Sequence, residues 1–313
     1  MSLFLAIDAG GTKTECLIAD DAVVLARAST GTVKLMRVSE EQATARLQAM
    51  LEQVVSAAGA ELSEVTRTCF GLAGLTSSEA RAWARRIVPA MVSGELLLCG
   101  DEEIALDAAF RGGPGILVIA GTGSNVVGRA ADGTLFGAGG WGSVLGDEGS
   151  GYWIGLEAIR VALRAQDRIG FGGIPTCLLR EIEEHWKLGS LEELVALANR
   201  RPGLDFAELA PVVARCAEGG DLLAAGVLER AGEELAEQVG LVCQKIAHSQ
   251  GSYDPTSHDT AAIGVAFTGS VLSNITGVRA AMVARLAVSH PNVRVGESAV
   301  DPLDGALWRA RHG

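Results

Sequence analysis

The chain is poor in aromatic residues, in histidine and in positive charge. Aromatic residues make up 4% of its 313 residues, so aliphatic side chains must supply most of the core. The five histidines show no spacing typical of a metal site. The formal net charge of −12 argues against nucleic acid and anionic membranes as partners. An anionic ligand must therefore be held by local N–H groups or by a metal ion.

Long apolar runs and paired cysteines are also missing. No apolar run approaches about 18 residues, the length that a membrane-spanning helix needs. Residues 1–4 lack the basic segment of a cleavable signal. The six cysteines are widely spaced, form no CxxC and fall mostly within apolar runs. We therefore expect reduced core cysteines and a cytoplasmic protein.

Glycine is abundant, at 40 residues, and two glycine turns carry the clearest signal. They lie in residues 7–14 and 119–125. Each follows a short apolar run and precedes two more, so the order strand, glycine turn, strand, turn, strand occurs twice. Glycine lets a backbone approach phosphate closely, and successive N–H groups form an anion-binding concavity. Either turn alone would suit an ordinary hairpin, but the pair predicts a polyphosphate held from two sides.

Helices and further strands follow each three-strand unit. The predicted helices are 39–58, 77–88 (ended by Pro89), a short helix to Phe110, a mostly helical stretch of about 150–250 that ends in 221–250, 270–289 and a terminal helix from Asp301. The predicted strands are 66–71, 95–99, 261–267 and 292–295. Residues 250–259 are predicted to form a polar loop.

The best linker is 111–115, where four of five residues are chain breakers. It predicts an N-terminal lobe of residues 1–112, with the terminal helix 301–313 packed on it, and a C-terminal lobe of residues 113–300. Both halves read as three strands followed by alternating helix and strand. The predicted fold class is therefore α/β, built twice.

Three aspartates are candidates for chemistry. Asp8 ends the first strand beside a glycine turn, where a carboxylate suits Mg²⁺ but also a plain turn. Asp101 follows strand 95–99, where it could take a proton from an attacking hydroxyl or simply cap the next helix. Asp147 lies in a glycine-rich block, 139–153, whose polar side chains could bind sugar hydroxyls and whose end could cap a helix near Ser150.

Four motifs together resemble the N-acetylglucosamine kinase branch of the actin/hexokinase/Hsp70 superfamily, which belongs with the dehydratase-activator ATPases. They are DxGGTKT at 8–14, GTGSN at 121–125, GGWGxxxGDEGSxYWI at 139–154 and FTGSV at 267–271. The resemblance implies a duplicated ribonuclease-H-like (actin-like ATPase) fold with two lobes around a nucleotide and sugar cleft. It also implies ATP with Mg²⁺ and phosphorylation of an amino-sugar hydroxyl, most simply N-acetylglucosamine to its 6-phosphate. We expect a homodimer.

The resemblance also assigns roles by position. Asp101 would be the catalytic base and contact the sugar, and Asp8 would hold Mg²⁺ through water. The implied ATP contacts are Gly10, Gly11, Thr12, Lys13, Thr14, Gly121, Thr122, Gly123, Ala217, Gly269 and Ser273. The implied sugar contacts are Ser124, Asn125, Gly140, Trp141, Gly142 and Asp147.

One departure concerns the acceptor. The family usually has a sugar-binding asparagine after the third strand, in a Ser-x-Asn pattern, and residues 29–37 here contain none. Either Thr32 substitutes, or Lys34 or Arg37 reads a different group. A cation there would suit an acidic amino sugar such as N-acetylmuramic acid or its anhydro form, unless both side chains lie on the solvated surface. Glucosamine is a further alternative.

Two other functions compete with a kinase. An activator ATPase of a radical dehydratase needs cysteines placed to share an iron–sulfur cluster, and the six here lack that spacing. A sugar-responsive regulator would carry a basic helix-turn-helix before the kinase domain. Since the first predicted strand starts at Leu3, we expect no such domain.

Overall fold

The computed structural model describes residues 2–75, 77–200, 204–251 and 262–313. The chain divides into two compact units, Met1–Leu117 with Val300–Gly313, and Val118–Ala299. The predicted polar loop 250–259 falls largely outside the described residues. Within the described parts, every helix is too short or too polar to cross a membrane. The domain bounds 1–112 and 113–300 remain a prediction about independent lobes.

The first unit holds a five-stranded sheet in the order β3-β2-β1-β4-β5. The strands are β1 (Leu3–Ala9), β2 (Lys13–Ala19), β3 (Val24–Gly31), β4 (Val65–Leu72) and β5 (Glu95–Gly100). The helices are α1 (Glu40–Ala58), α2 (Ser78–Met91), α3 (Asp101–Phe110) and α11 (Pro302–His312). β2 is antiparallel to β1 and β3, whereas β4 is parallel to both β1 and β5.

Alternation along the strands gives this sheet two apolar faces. Leu5 and Ile7 belong to the cluster that contains buried residues of α1 and α2, such as Leu47. Phe4 and Ala6 belong to the opposite cluster, with buried residues of α3 and α11. Successive strand side chains point to opposite faces, so a strand buried on both faces is apolar at nearly every position.

The C-terminal helix α11 packs closely on α3. A Cβ at Gly305 would lie 1.8 Å from the carbonyl oxygen of Ile104, so only glycine allows this approach. Four residues later, the Nε of Arg309 donates to the Oδ2 of Asp107 at 2.6 Å, and its Nη1 lies 3.2 Å from a carboxylate oxygen of Glu103. The Asp107 side chain is fully buried, so this ion pair lies inside the unit.

The second unit repeats the strand plan. Its sheet has the order β10-β9-β6-β7-β8. The strands are β6 (Gly115–Ala120), β7 (Ser124–Arg129), β8 (Leu135–Gly139), β9 (Ile263–Thr268) and β10 (Val293–Val295). The helices are α4 (Gly151–Asp167), α5 (Leu178–Trp186), α6 (Leu191–Ala198), α7 (Ala210–Glu218), α8 (Leu222–Ser249), α9 (Ser270–Asn274) and α10 (Thr276–Ser289).

In both sheets the first strand is central, with the second and third on one side and the fourth and fifth on the other. The predicted duplicated α/β fold is therefore confirmed. Two helix boundaries differ from prediction. Helix α2 continues through Pro89 to Met91, because a proline in the last turn removes only one hydrogen bond. The predicted helix 270–289 breaks at the buried Ile275, which has ψ of 88°.

The buried ion pair gives a stability prediction. Arg309→Met would leave the Asp107 carboxylate without its guanidinium partner, and we expect a loss of about 3–5 kcal/mol in the free energy of unfolding. Arg27→Met is the matched control, because it breaks exposed pairs with Asp301 and Asp304 at the N-terminal end of the same helix and should cost less than about 1 kcal/mol. Urea denaturation measures both, and equal losses would contradict the assignment.

Candidate active site

Two aspartates lie at one edge of the first sheet. Asp8 is paired in register with Gly71 of β4, which is paired with Cys99 of β5. Asp101 follows β5 by one residue as the first residue of α3, whose N-cap is Gly100. Because β1, β4 and β5 are parallel, their carboxyl ends meet at this edge. Asp101 is therefore not the N-cap that an aspartate before a helix often is.

Both carboxyl groups are half-buried and hold their protons strongly. Burial raises the pKa of Asp8 to about 7, and the negative charges of Glu15 and Asp301 add to the shift while Lys13 opposes it. Burial also raises the pKa of Asp101 well above its ordinary value, as do a hydrogen bond with Glu102 and the charges of Glu102 and Asp8. The ligand-free site therefore disfavours negative charge on either carboxyl group, and a bound cation would offset that penalty.

The first glycine turn exposes some of the predicted phosphate contacts and buries another. Thr12 and Lys13 are exposed, and no atom lies within 4 Å of the position that a Cβ of Gly11 would take. Thr14 is fully buried, and its Oγ1 accepts from the backbone N–H of Val33 at 3.2 Å. The turn thus presents a glycine, a hydroxyl and an ammonium to solvent. The buried Thr14 connects the turn to Val33 by a hydrogen bond.

Thr32 stands near the position of the missing family asparagine, and its hydroxyl supports the chain. The buried Thr32 Oγ1 donates to the carbonyl of Gly10 at 2.9 Å and accepts from the N–H of Lys34 at 3.1 Å. Its own carbonyl accepts from the guanidinium of Arg46 at 2.7 Å. Because the Thr32 hydroxyl already makes two hydrogen bonds, the structure favours the alternative in which Lys34 or Arg37, rather than Thr32, would contact the acceptor.

Lys34 lines a cavity of about 100 Å³ within the first unit. The cavity also meets the ends of β4 and α2, since Leu72, Ser77 and Glu79 lie in its wall. Among the described residues no ion pair involves Lys34. Arg37 is exposed and is not part of the wall, so the structure separates the two predicted cations.

The second glycine turn is attached to the start of α4. The N–H of Gly151 donates to the carbonyl of Gly121 at 2.8 Å, and Ser150 caps the helix by accepting from the N–H of Trp153. Gly121 and Thr122 line a cavity of about 300 Å³ in the second unit. Its other lining residues are Gly151, Ala207, Ala210, Pro211, Ala214, Arg215, Glu218, Ser270, Val271, Asn274 and Ile275.

The three predicted adenosine contacts lie beside this cavity rather than in its wall. Ala217 is next to Glu218, Gly269 is next to Ser270, and Ser273 is next to Asn274. Ser273 donates its hydroxyl to the carbonyl of Gly269 at 2.8 Å. Sequence reasoning missed the small residues at helical spacing along α7, Ala210 and Ala214. Their short side chains leave space for the cavity.

Apart from Asp101, the predicted sugar contacts lie in β7 and in the loop 139–149 of the second unit. Asp147, with a φ of 59°, accepts from the N–H of Gly142 at 3.0 Å through Oδ1. Its Oδ2 would lie 2.8 Å from a Cβ at Gly123, so a side chain at 123 would displace the carboxylate. The buried Ser124 hydroxyl donates to the carbonyl of Glu148 at 2.8 Å. Asn125 lies against Gly140, where a Cβ would be 3.0 Å from its Cγ.

Trp141 is the exposed aromatic residue of this loop, with 76% of its surface accessible. Val144 and Leu145 are exposed at 88% and 81%. Glu148 and Gln238 were not predicted, yet Gln238 of α8 donates its Nε2 to Glu148 at 3.4 Å. A polar residue on the buried face of a long apolar helix is the sequence signal that could have found it.

The described residues contain no group of three or more histidine, cysteine, aspartate or glutamate side chains arranged to hold a metal ion. A divalent cation at Asp8 would therefore depend on water or phosphate oxygens for its remaining ligands, which is how Mg²⁺ is usually bound. Chemically, the first unit offers a carboxylate for such a cation and a second carboxylate, Asp101, able to accept a proton.

Comparison with known proteins places these features in a family. Residues 5–307 match the model of the BadF/BadG/BcrA/BcrD ATPase family. An N-acetylmuramic acid/N-acetylglucosamine kinase of Clostridium acetobutylicum is 30% identical over 99% of both chains. An N-acetyl-D-glucosamine kinase of Dictyostelium discoideum is 25% identical over 98% of this chain and 97% of its own.

Among solved structures, a Chromobacterium violaceum protein provisionally named an N-acetylglucosamine kinase is 27% identical over 98% of both chains, with a TM-score of 0.72. The family match, the end-to-end relatives and this shared fold agree with the motifs of the glycine turns and of the loop 139–149. The chain therefore belongs to the BadF/BadG/BcrA/BcrD ATPase family.

Proposed function

We propose that this protein transfers the γ-phosphoryl group of ATP to a hydroxyl of an amino sugar, with N-acetylglucosamine as the first acceptor to test. The observation that carries the proposal is the placement of Asp101 and Asp8 at one carboxyl edge of the first sheet. Relatives that match the chain from end to end are named as kinases of this sugar class. Phosphoryl transfer to a hydroxyl needs a base for its proton, and Asp101 is the candidate.

The chemistry follows from the proposed roles. The acceptor hydroxyl gives its proton to the Asp101 carboxylate as its oxygen attacks the γ-phosphorus, and ADP leaves. Exposed N–H groups and hydroxyls of both glycine turns would bind phosphate oxygens, together with Lys13. Ser124, Asn125 and Asp147 belong to the proposed sugar contacts.

Mg²⁺ is part of this proposal. Asp8 is a half-buried carboxylate with a raised pKa and acidic neighbours. Bound there with ATP, Mg²⁺ would neutralise phosphate charge. Asp8 itself would orient the ion through a water molecule.

Lys34 favours a second candidate acceptor, an acidic amino sugar. Its cavity is open beside the carboxyl end of β4, one strand from Asp101. The ammonium has no ion-pair partner among the described residues, and the N-terminus of α2, capped by Ser77, meets the same wall. Both features attract a carboxylate, although Glu79 opposes them. The Clostridium relative is named for N-acetylmuramic acid, which carries a lactyl carboxylate.

An iron–sulfur activator ATPase is less well supported. Five of the six cysteines are buried and Cys177 is half-buried, so no pair of accessible thiols is available for a shared cluster. Burial raises the pKa of Cys16 to about 12, which is typical of an inert core thiol. The predicted homodimer remains a proposal that sedimentation equilibrium would test.

Asp101→Asn tests the base. The amide keeps the shape of the side chain but cannot accept the proton, so kcat with N-acetylglucosamine should fall by roughly 100-fold or more while ATP still binds. A coupled assay of ADP release and calorimetric titration of nucleotide measure the two effects. Asp21→Asn, an exposed aspartate between β2 and β3, is the control. Activity near the wild-type level in Asp101→Asn would exclude this role.

Asp8→Asn tests the metal site through stability. Because the folded pKa of Asp8 is raised to about 7 from 3.8, the fold favours the protonated acid. Ionisation of Asp8 therefore lowers the free energy of unfolding. This loss is absent below the unfolded pKa and grows as the pH rises to about 7. Asp8→Asn should therefore raise the Tm of the ligand-free protein at about pH 8, and raise it less at about pH 5.

At pH 8, Mg²⁺ should add to the stabilisation that ATP alone gives the wild type, and this additional stabilisation should be small in Asp8→Asn. Glu15→Gln is the control, because it removes a neighbouring charge, paired with Lys13, without removing the proposed ligand. Equal stabilisation of wild type and Asp8→Asn by Mg²⁺ would rule out this metal site.

Lys34→Ala tests the acidic acceptor. A charge-assisted contact is worth roughly 1.5–3 kcal/mol, so the variant should use N-acetylmuramic acid about tenfold or more less efficiently. N-Acetylglucosamine, which lacks the carboxylate, should be almost unaffected. Arg37→Ala is the control outside the cavity. If the wild type phosphorylates no carboxylated amino sugar, the neutral-acceptor proposal alone stands.

A further inference from the structure

Helix α8 passes beneath the loop 139–149 and supports it at both ends. At one end, a Cβ at Gly149 would lie 2.5 Å from Leu235 and 2.7 Å from the carbonyl oxygen of Ala231. At the other end, a Cβ at Gly139 would lie 2.4 Å from the Oε1 of Gln238. Gly139 has a φ of 76°, so both conformation and space require glycine. The loop therefore rests directly on the helix.

Gln238 is the polar residue in this support, and half of its carboxamide is unused. Only 7% of the residue is exposed. Its Nε2 faces the carboxylate of Glu148 at 3.4 Å, which fixes the amide orientation because a carboxylate can only accept. The Oε1 then faces Gly139 and has no hydrogen-bond partner among the described residues. A buried acceptor left in this state destabilises the protein that carries it.

We infer that Gln238 is a positioning residue of the acceptor site, whose Oε1 gains a hydrogen bond from a backbone N–H of the loop 139–149 only when the amino sugar is bound. The inference rests on the proposed function of this loop. Less than 1 Å² of the Oε1 is accessible, so its donor must come from the chain above it rather than from the sugar itself. Binding of the sugar would order the loop, and a backbone N–H of the ordered loop would then donate to the Oε1 of Gln238.

This role predicts opposite effects on stability and on sugar binding. Gln238→Met keeps the length of the side chain and removes the unpartnered acceptor, so the ligand-free protein should have an unchanged or higher Tm. The same variant cannot accept a hydrogen bond from the ordered loop. N-Acetylglucosamine should therefore bind about tenfold more weakly, which is about 1.4 kcal/mol. The KM for the sugar should rise while the KM for ATP and the kcat at saturating sugar change less than twofold.

The experiment combines thermal unfolding of the free protein, calorimetric titration with N-acetylglucosamine and steady-state kinetics. Amide hydrogen exchange adds a direct readout, since sugar should slow exchange in 139–149 more in the wild type than in Gln238→Met. Lys245→Met is the matched control on the same helix. Its Nζ donates to the carbonyl of Gly137 in β8 rather than to the loop, so sugar binding should be unchanged.

The outcomes separate the inference from the function on which it rests. A wild type that neither binds nor phosphorylates any amino sugar overturns the proposed function. A wild type that binds sugar, with a Gln238→Met variant that binds it equally well, overturns the inference alone. A Gln238→Met protein that unfolds at lower temperature or fails to fold also overturns it, because Gln238 would then be an ordinary structural residue.

Discussion

The parallel pairing of β4 with both β1 and β5 is the interaction on which the placement of Asp8 and Asp101 depends. It aligns Asp8 with Gly71 and Cys99, so Asp101 follows at the same edge. A shift of one residue in β1 would exchange its two faces and move Ile7 out of its cluster. Since both faces of the sheet are buried, such a shift is strongly disfavoured. The position of a polar side chain is therefore set by the apolar residues around it.

The second unit uses the same strand plan to support a loop. Its glycine turn bonds the first N–H groups of α4, and close contact between Gly123 and Asp147 folds the loop 139–149 against the turn. The long helix α8 lies beneath this loop, with Gln238 close to Gly139 and Leu235 close to Gly149. The two sheets share one strand plan but differ in the helices that follow it.

Sequence reasoning identified most strands, helices and caps because their signals are local. Ser39 caps α1 by accepting from the N–H of Gln42, and Asp301 caps α11. The break at Ile275 was missed, because nothing at that residue marks it and the surrounding packing decides it. Thr14 could be placed in a phosphate motif but not inside the sheet, since its burial depends on Val33 across the fold.

The same limit explains which parts of the site could be predicted. Asp147 lies within a short motif and Asp101 follows a predicted strand, and the family resemblance implies a role for each. Gln238 lies 90 residues from Glu148, and no local pattern joins them. The cavity beside Lys34 likewise forms from segments that are distant in the chain, 33–36 with 72–74 and 77–83. Long-range contacts of this kind become visible only when the fold brings the segments together.

The charge of the site gives a reason for its chemistry in an acidic protein. The chain has a net charge of −12. The charges of Glu15 and Asp301 raise the pKa of Asp8, and the charges of Glu102 and Asp8 raise the pKa of Asp101. Free nucleotide would meet this field as an anion and be repelled. Under the proposed function, a nucleotide that arrives with a divalent cation would reverse this balance, because the carboxylates would attract the cation and the cation would neutralise the phosphates. The energy that the unliganded carboxylates cost the fold would thus become selectivity for the metal-bound nucleotide.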